Sequence, residues 1–227
     1  MTKFDILGGC ALMALVTQAG TALADDTRRV LMIALDVSKS NVVIEDGRVA
    51  AKAASTAAEM IRALQNGDRL LIRTVGSYSM SDNPLRFDLD VSRRMPAPRI
   101  AASVEKLIAS LPELVAKGKL PAGGTTQITA FLAEESALLS CDTRETALVL
   151  FSDGIEASPE TSPDALSNGR TGLPAPQGND LRGCSLSLYG IGETTQGAQR
   201  SRTENLITAW SAWARAAGVA FDAFPKY

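Results

Sequence analysis

The stretch Val30-Leu31-Met32-Ile33-Ala34-Leu35-Asp36-Val37-Ser38-Lys39-Ser40 decides the fold of this chain. Six apolar residues in a row, bounded by a polar turn, read as a strand, and the continuous run at 146–151 reads as a strand in the buried middle of a sheet. Such strands belong to parallel sheets with helices on either side. The first run ends on a carboxylate and two hydroxyls spaced two residues apart. Hard oxygen donors on a tight turn suit Mg²⁺ or Mn²⁺.

Working outward, apolar periodicity alternates between strand and helix. A first strand is expected at about 29–35, a helix at 49–64 ending at Asn66-Gly67, and a strand at 69–75. Residues 85–91 alternate apolar and charged, as an edge strand with one solvated face would. Pro96-Ala97-Pro98 breaks the chain, and a helix follows at 101–117, which Pro112 kinks or splits. Gly123-Gly124 makes a loop before a helix at 128–139. Strands at 146–151, 185–191 and 219–224 follow, with a helix at 203–217 ended by Gly218. Segment 158–179 is rich in Pro, Gly, Ser and Asn and reads as a long surface loop. The sum is an α/β fold. It is doubly wound around a mostly parallel sheet with one antiparallel edge strand and helices on both faces, spanning about 27–227. Trp210 and Trp213, on one stripe of the last long helix, are expected in the core. Arg93-Arg94 is expected to be a solvated pair.

Composition narrows the function. The 227 residues are 45% apolar and 21% charged, with a net charge of -2. That balance is globular and offers no basic excess for nucleic acid or anionic lipid. With 0 histidines, a Ser-His-Asp triad and a His-ligated zinc are both impossible within this chain. Residues 1–24 read as a signal peptide: Lys3, an apolar stretch at 7–16, and Ala22-Leu23-Ala24 before Asp25. The weaker alternative is a lipoprotein box at Leu7-Gly8-Gly9-Cys10. No other segment is apolar enough to span a bilayer. The mature chain is therefore expected outside the cytoplasm, periplasmic or secreted. Two cysteines remain after cleavage, Cys141 and Cys184. An even count in an exported chain points to a disulfide, the alternative being two buried thiols.

Three segments converge on one candidate site. Asp36, Ser38 and Ser40 follow the first strand, Ser152-Asp153-Gly154 follows the 146–151 strand, and Gly123-Gly124-Thr125-Thr126 opens a helix between them. In doubly wound sheets, ligands sit beyond the carboxyl ends of the strands, where strand order reverses. D-x-S-x-S, then G-G-T-T, then S-D-G, in that order, resembles the metal-ion-dependent adhesion site of the von Willebrand factor A family. The likeness covers nearly the whole mature chain. It implies that Asp36, Ser38, Ser40, Asp153 and a threonine surround a Mg²⁺ or Mn²⁺ ion, directly or through water. Thr126 is preferred to Thr125 because it places Ile128 and Leu132 at the family's apolar helix positions. The resemblance further implies a protein-binding module, not an enzyme, whose metal takes a carboxylate from a partner protein. It also puts Cys141 and Cys184 at the amino ends of adjacent strands, opposite the metal.

Other readings compete. Asp36 also suits an Asx turn, and the two serines suit helix caps, within a metal-free scaffold of the same family. A phosphatase with its nucleophile after the first strand needs a second acid where Ser38 stands. A serine-lysine amidase is hinted at by Ser103-Val104-Glu105-Lys106 and Ser81-Asp82-Asn83, but these stand in reverse order and no K-T-G follows.

Overall fold

The computed structural model describes residues 28–76, 83–177 and 181–227. The expected signal peptide, Ser81, Asp82 and the last two residues of the 158–179 loop lie outside them. The first strand, β1 (Val30–Asp36), is buried along its whole length. It pairs in parallel with β2 (Arg69–Val75) on one side and with β4 (Thr146–Phe151) on the other. β3 (Phe87–Asp90) runs antiparallel to β2, and β5 (Ser185–Tyr189) and β6 (Ala220–Phe224) extend the parallel sheet beyond β4. The order across the six strands is β3-β2-β1-β4-β5-β6. The chain builds one half outward from β1, then returns to β4 and builds the other. Strand order therefore reverses between β1 and β4, and a crevice is expected at their carboxyl ends.

Successive side chains of a strand face opposite ways, so β1 feeds two cores. Leu31, Ile33 and Leu35 pack with α1 (Gly47–Arg62) and α2 (Ala97–Ala109). Met32 and Ala34 pack with α4 (Ile128–Ser136) and α6 (Arg200–Ala217). α1 is capped by Asp46, whose carboxylate accepts the N–H groups of Arg48 and Val49. Its buried face is Ala50, Ala53, Ala54, Ala57, Ala58 and Ile61, small enough to lie close on the sheet. Trp210 and Trp213 are core, as expected, in edge-to-face contact at 5.5 Å. Arg93 and Arg94 are exposed, as expected.

The expected 101–117 helix is two helices, α2 and α3 (Leu111–Ala116), parted at Ser110. Pro112 sits in the first turn of α3, where its missing N–H costs nothing. For the same reason Pro98 begins α2 instead of delaying it. The expected 85–91 strand is shorter. The register Ile72↔Phe87 would next set Leu85 against Thr74, but the Asn83 side chain takes that place. Its Oδ1 accepts the Thr74 N–H at 3.0 Å and its Nδ2 donates to the Thr74 carbonyl at 2.9 Å. The 158–179 segment is not all loop, since it holds the short helix α5 (Pro163–Ser167), tied to α6 by Asn205 donating to the Ser167 carbonyl. Cys141 and Cys184 are bonded, just before β4 and β5, with Cα atoms 4.9 Å apart. Closing a loop of this length stabilises a fold by about 2–4 kcal/mol.

Candidate metal centre

Asp36 is the last residue of β1, and its carboxylate is buried. Oδ1 accepts the Ser38 N–H at 2.8 Å, which bends the chain into the turn that follows. Oδ2 accepts the Ser152 hydroxyl at 2.5 Å, so the ends of β1 and β4 are tied through this carboxylate. The turn brings Ser38 Oγ and Ser40 Oγ to 3.2 Å from each other. The glycine-rich loop hooks onto the same turn. Lys39 N–H donates to the Gly123 carbonyl at 3.1 Å, and Gly123 N–H donates to the Val37 carbonyl at 3.0 Å.

Thr126 is buried and Thr125 is exposed. Thr126 lines, with Ser38 and Ser40, an open cavity of ≈ 510 Å³ between α5 and the start of α6. The threonine is held in place from below. Its carbonyl accepts the Ala157 N–H at 2.7 Å. Glu156, fully buried, caps α4 by accepting the Ile128 and Thr129 N–H groups at 2.8 and 3.1 Å and the Thr129 hydroxyl at 3.1 Å. Burial raises the Glu156 pKa, and these donors oppose the rise.

Asp153 follows Ser152 beyond β4 and is fully buried. Its Oδ1 accepts the Ile155 N–H at 2.9 Å, whereas Oδ2 is buried without a hydrogen-bond partner. The turn holding it is fixed from the core. Gly154 has φ +73°, and the Trp210 indole donates to its carbonyl at 2.8 Å. Burial, then the Asp36 charge, pushes the Asp153 carboxyl up to about 7, against the lowering effect of Ser40 and Arg202. Burial likewise raises Asp36, opposed by Ser152 and Ser38. Two carboxylates this close in a low-dielectric site repel each other when both are ionised.

The donor set is all oxygen: hydroxyls of Ser38, Ser40 and Thr126 on the cavity side, with the carboxylates of Asp36 and Asp153 buried behind them. Among the described residues, no three His, Cys, Asp or Glu gather into a metal-binding group. A cation here would rest on hydroxyls, two carboxylates and water, the hard ligands that Mg²⁺ and Mn²⁺ prefer. The buried, unbonded Asp153 Oδ2 and the mutual repulsion of the two acids fit a cation.

The sequence reading did not single out two supporting residues. Asn41 is fully buried, and its Nδ2 donates to the Asp36 and Phe151 carbonyls at 2.7 and 3.1 Å, clamping the ends of β1 and β4. Tyr227 donates its hydroxyl to Asn41 Oδ1 at 2.8 Å and stacks on Phe151. Its ring fills the space that a side chain on Gly190 would need, since a Cβ there would lie 2.0 Å from the ring. Burial raises the Tyr227 pKa, and the Asp153 and Asp36 charges raise it further. Adjacency to the D-x-S-x-S turn was a signal for Asn41; nothing local marks Tyr227. Of the amidase-like residues that the structure describes, the Ser103 hydroxyl donates to the Arg99 carbonyl within α2, and Asn83 clasps Thr74.

No family profile matches the sequence, and no curated protein does. Solved structures are similar in fold. One is a von Willebrand factor type A protein from Catenulispora acidiphila, at 14% identity and a TM-score of 0.46, covering 87% of this chain and 39% of that one. Another is manganese-loaded TRAP protein of Plasmodium vivax, at 18% identity and a TM-score of 0.46, covering 88% and 70%. A third is an aerotolerance-related membrane protein from Bacteroides fragilis, at 14% identity and a TM-score of 0.45, covering 85% and 89%. The chain thus spans well under half of the first of these proteins. Likeness at this level carries no function across to this chain.

Proposed function

We propose that this chain is a divalent-metal-dependent protein-binding module of the von Willebrand factor A type, working outside the cytoplasm. Mg²⁺ or Mn²⁺ is held by Ser38, Ser40 and Thr126, with Asp36 and Asp153 as direct or water-bridged ligands. Bound there, the ion supplies a Lewis-acidic position open to the cavity, and a carboxylate of a partner protein fills it. The chain's own residues do the rest. Asp36 and Asp153 provide negative charge, Ser152 and Asn41 fix the strand ends, and Glu156 holds the Thr126 loop. Lys39 and Arg202 line the same cavity and favour an acidic partner. The role is binding, not catalysis.

The observation that carries this reading is the Asp153 carboxylate, with one oxygen buried and unbonded behind three hydroxyls. The test is calorimetric titration of Mg²⁺ and Mn²⁺ into Thr126→Ala and Thr125→Ala. Thr126→Ala is expected to weaken binding at least tenfold, and Thr125→Ala to leave it unchanged. The reverse pattern would move the ligand to Thr125, and absence of binding in the unmutated chain would refute the proposal. A metal-free scaffold is the second reading. It is favoured by Asp36, whose two oxygens already accept Ser38 N–H and Ser152 O–H.

A further inference from the structure

The helix α6 begins against its own dipole. The positive end of a helix favours acids in the first turn and disfavours cations. The first turn of α6 holds no acid and carries Arg200 and Arg202. Arg200 is exposed and answered one turn on, its Nε donating to Glu204 Oε1 at 2.7 Å. Arg202 is half-buried and lines the cavity that Ser38, Ser40 and Thr126 also line. Among the described residues no carboxylate forms an ion pair with it.

The Arg202 guanidinium is fixed by one nitrogen. Its Nη1 donates to the Thr194 hydroxyl at 2.9 Å and to the Gly197 carbonyl at 3.1 Å. The loop that supplies these acceptors is tied to the D-x-S-x-S turn, because the Thr195 N–H donates to the Ser40 carbonyl at 3.0 Å. Nε and Nη2 keep their N–H groups in one plane, an edge on which a carboxylate docks. Lys39 lines the cavity too, but it is an exposed point charge on a flexible stem. The charge of Arg202 reaches Asp153, whose carboxyl it lowers. With a divalent cation at the candidate centre, Asp36 and Asp153 are neutralised and Arg202 faces a like charge. A carboxylate between cation and guanidinium is attracted to both. Asp164 of α5 lines the same cavity and repels a dianion more than a monoanion, which favours one carboxylate over a phosphate.

We infer that Arg202 is the second anchor for the partner protein, its free edge gripping the same aspartate or glutamate side chain that the cation holds. This rests on the metal-dependent reading above. The probe is acetyl-Gly-Glu-Gly-amide, titrated at saturating Mg²⁺ into the isotope-labelled chain and followed by NMR. Its glutamine and phosphoserine counterparts are the controls. The Arg202 Nε–H resonance, identified by its absence in Arg202→Gln, is expected to shift saturably with the glutamate peptide and to stay in place with the glutamine one. Arg202→Gln is expected to weaken the glutamate peptide roughly tenfold or more, the scale of one lost charged hydrogen bond. Calorimetry should show the same variant binding Mg²⁺ no less tightly than the unmutated chain, since a like charge has gone. Arg202→Lys, which keeps the charge without the fork, is expected to fall between the two. Loss of both affinities together would make Arg202 a tie for its loop alone and overturn the inference. So would Mg²⁺ binding with an unmoved resonance and unchanged peptide affinity, or a preference for the phosphoserine peptide, each of which leaves the metal reading standing. No Mg²⁺ binding by the unmutated chain would overturn both.

Discussion

Asp153 is a carboxyl whose ionisation the fold opposes. Its pKa stands at about 7, against 3.8 for the ordinary group, because it is buried beside Asp36. The folded, metal-free chain therefore keeps a proton that the unfolded chain releases. Stability is expected to fall as pH rises from about 4 to about 7, and to level off above. Urea midpoints in EDTA across this range should show that slope, and Asp153→Asn should flatten it. Equal slopes in both chains would place the effect elsewhere. Tyr227 makes a second residue-scale prediction. Tyr227→Phe leaves the buried Asn41 Oδ1 short of one donor and is expected to cost about 1–3 kcal/mol, read from urea unfolding. Of these groups, the sequence marked Asp36, Ser38, Ser40 and Asp153, because donor spacing at strand ends is local, and the family resemblance added Thr126 in preference to Thr125. Tyr227 was not legible, since its contact with Asn41 spans 186 residues and no pattern near either end records it.

Among the elements, β2 carries a charge inside the sheet. Arg73 is fully buried, and its Nε donates to both Glu135 carboxylate oxygens on α4, at 3.1 and 3.2 Å. Its Nη1 donates to the Ile72 and Phe87 carbonyls. Removing Glu135 leaves the buried Arg73 only the exposed Asp88, 3.6 Å away, so Glu135→Ala is expected to cost about 3 kcal/mol, measured by chemical denaturation. A loss under about 1 kcal/mol would show that water reaches Arg73. The strand itself was readable from its apolar run, but its charged member was not assigned a partner. Glu135 lies 62 residues away, and a glutamate on a helix reads as solvated until the packing is known. Element boundaries were missed where side chains replace backbone. Asn83 delayed the start of β3 by taking the Thr74 partners, and Pro98 opened a helix where a break was expected, whereas the split expected at Pro112 is present at Ser110. Proline ends one helix and begins another by the same missing N–H, so its position alone does not say which.

Across the whole molecule, the topology followed from the sequence because buried parallel strands are continuous apolar runs, and alternation with helices leaves few ways to connect them. The order β3-β2-β1-β4-β5-β6 puts Asp36 and Asp153 at the carboxyl ends of neighbouring strands and makes one site of two distant motifs. The disulfide closes the amino end of the same sheet half. The central claim is that the carboxyl end holds a divalent cation. The most direct test is a thermal melt with Mg²⁺ titrated against EDTA, for the unmutated chain and Ser40→Ala. At about 100 times its dissociation constant, the ion should add about 2.7 kcal/mol to the stability of the unmutated chain. The account predicts a rise in Tm that Ser40→Ala lacks. Identical melts in Mg²⁺, Mn²⁺ and EDTA would contradict it.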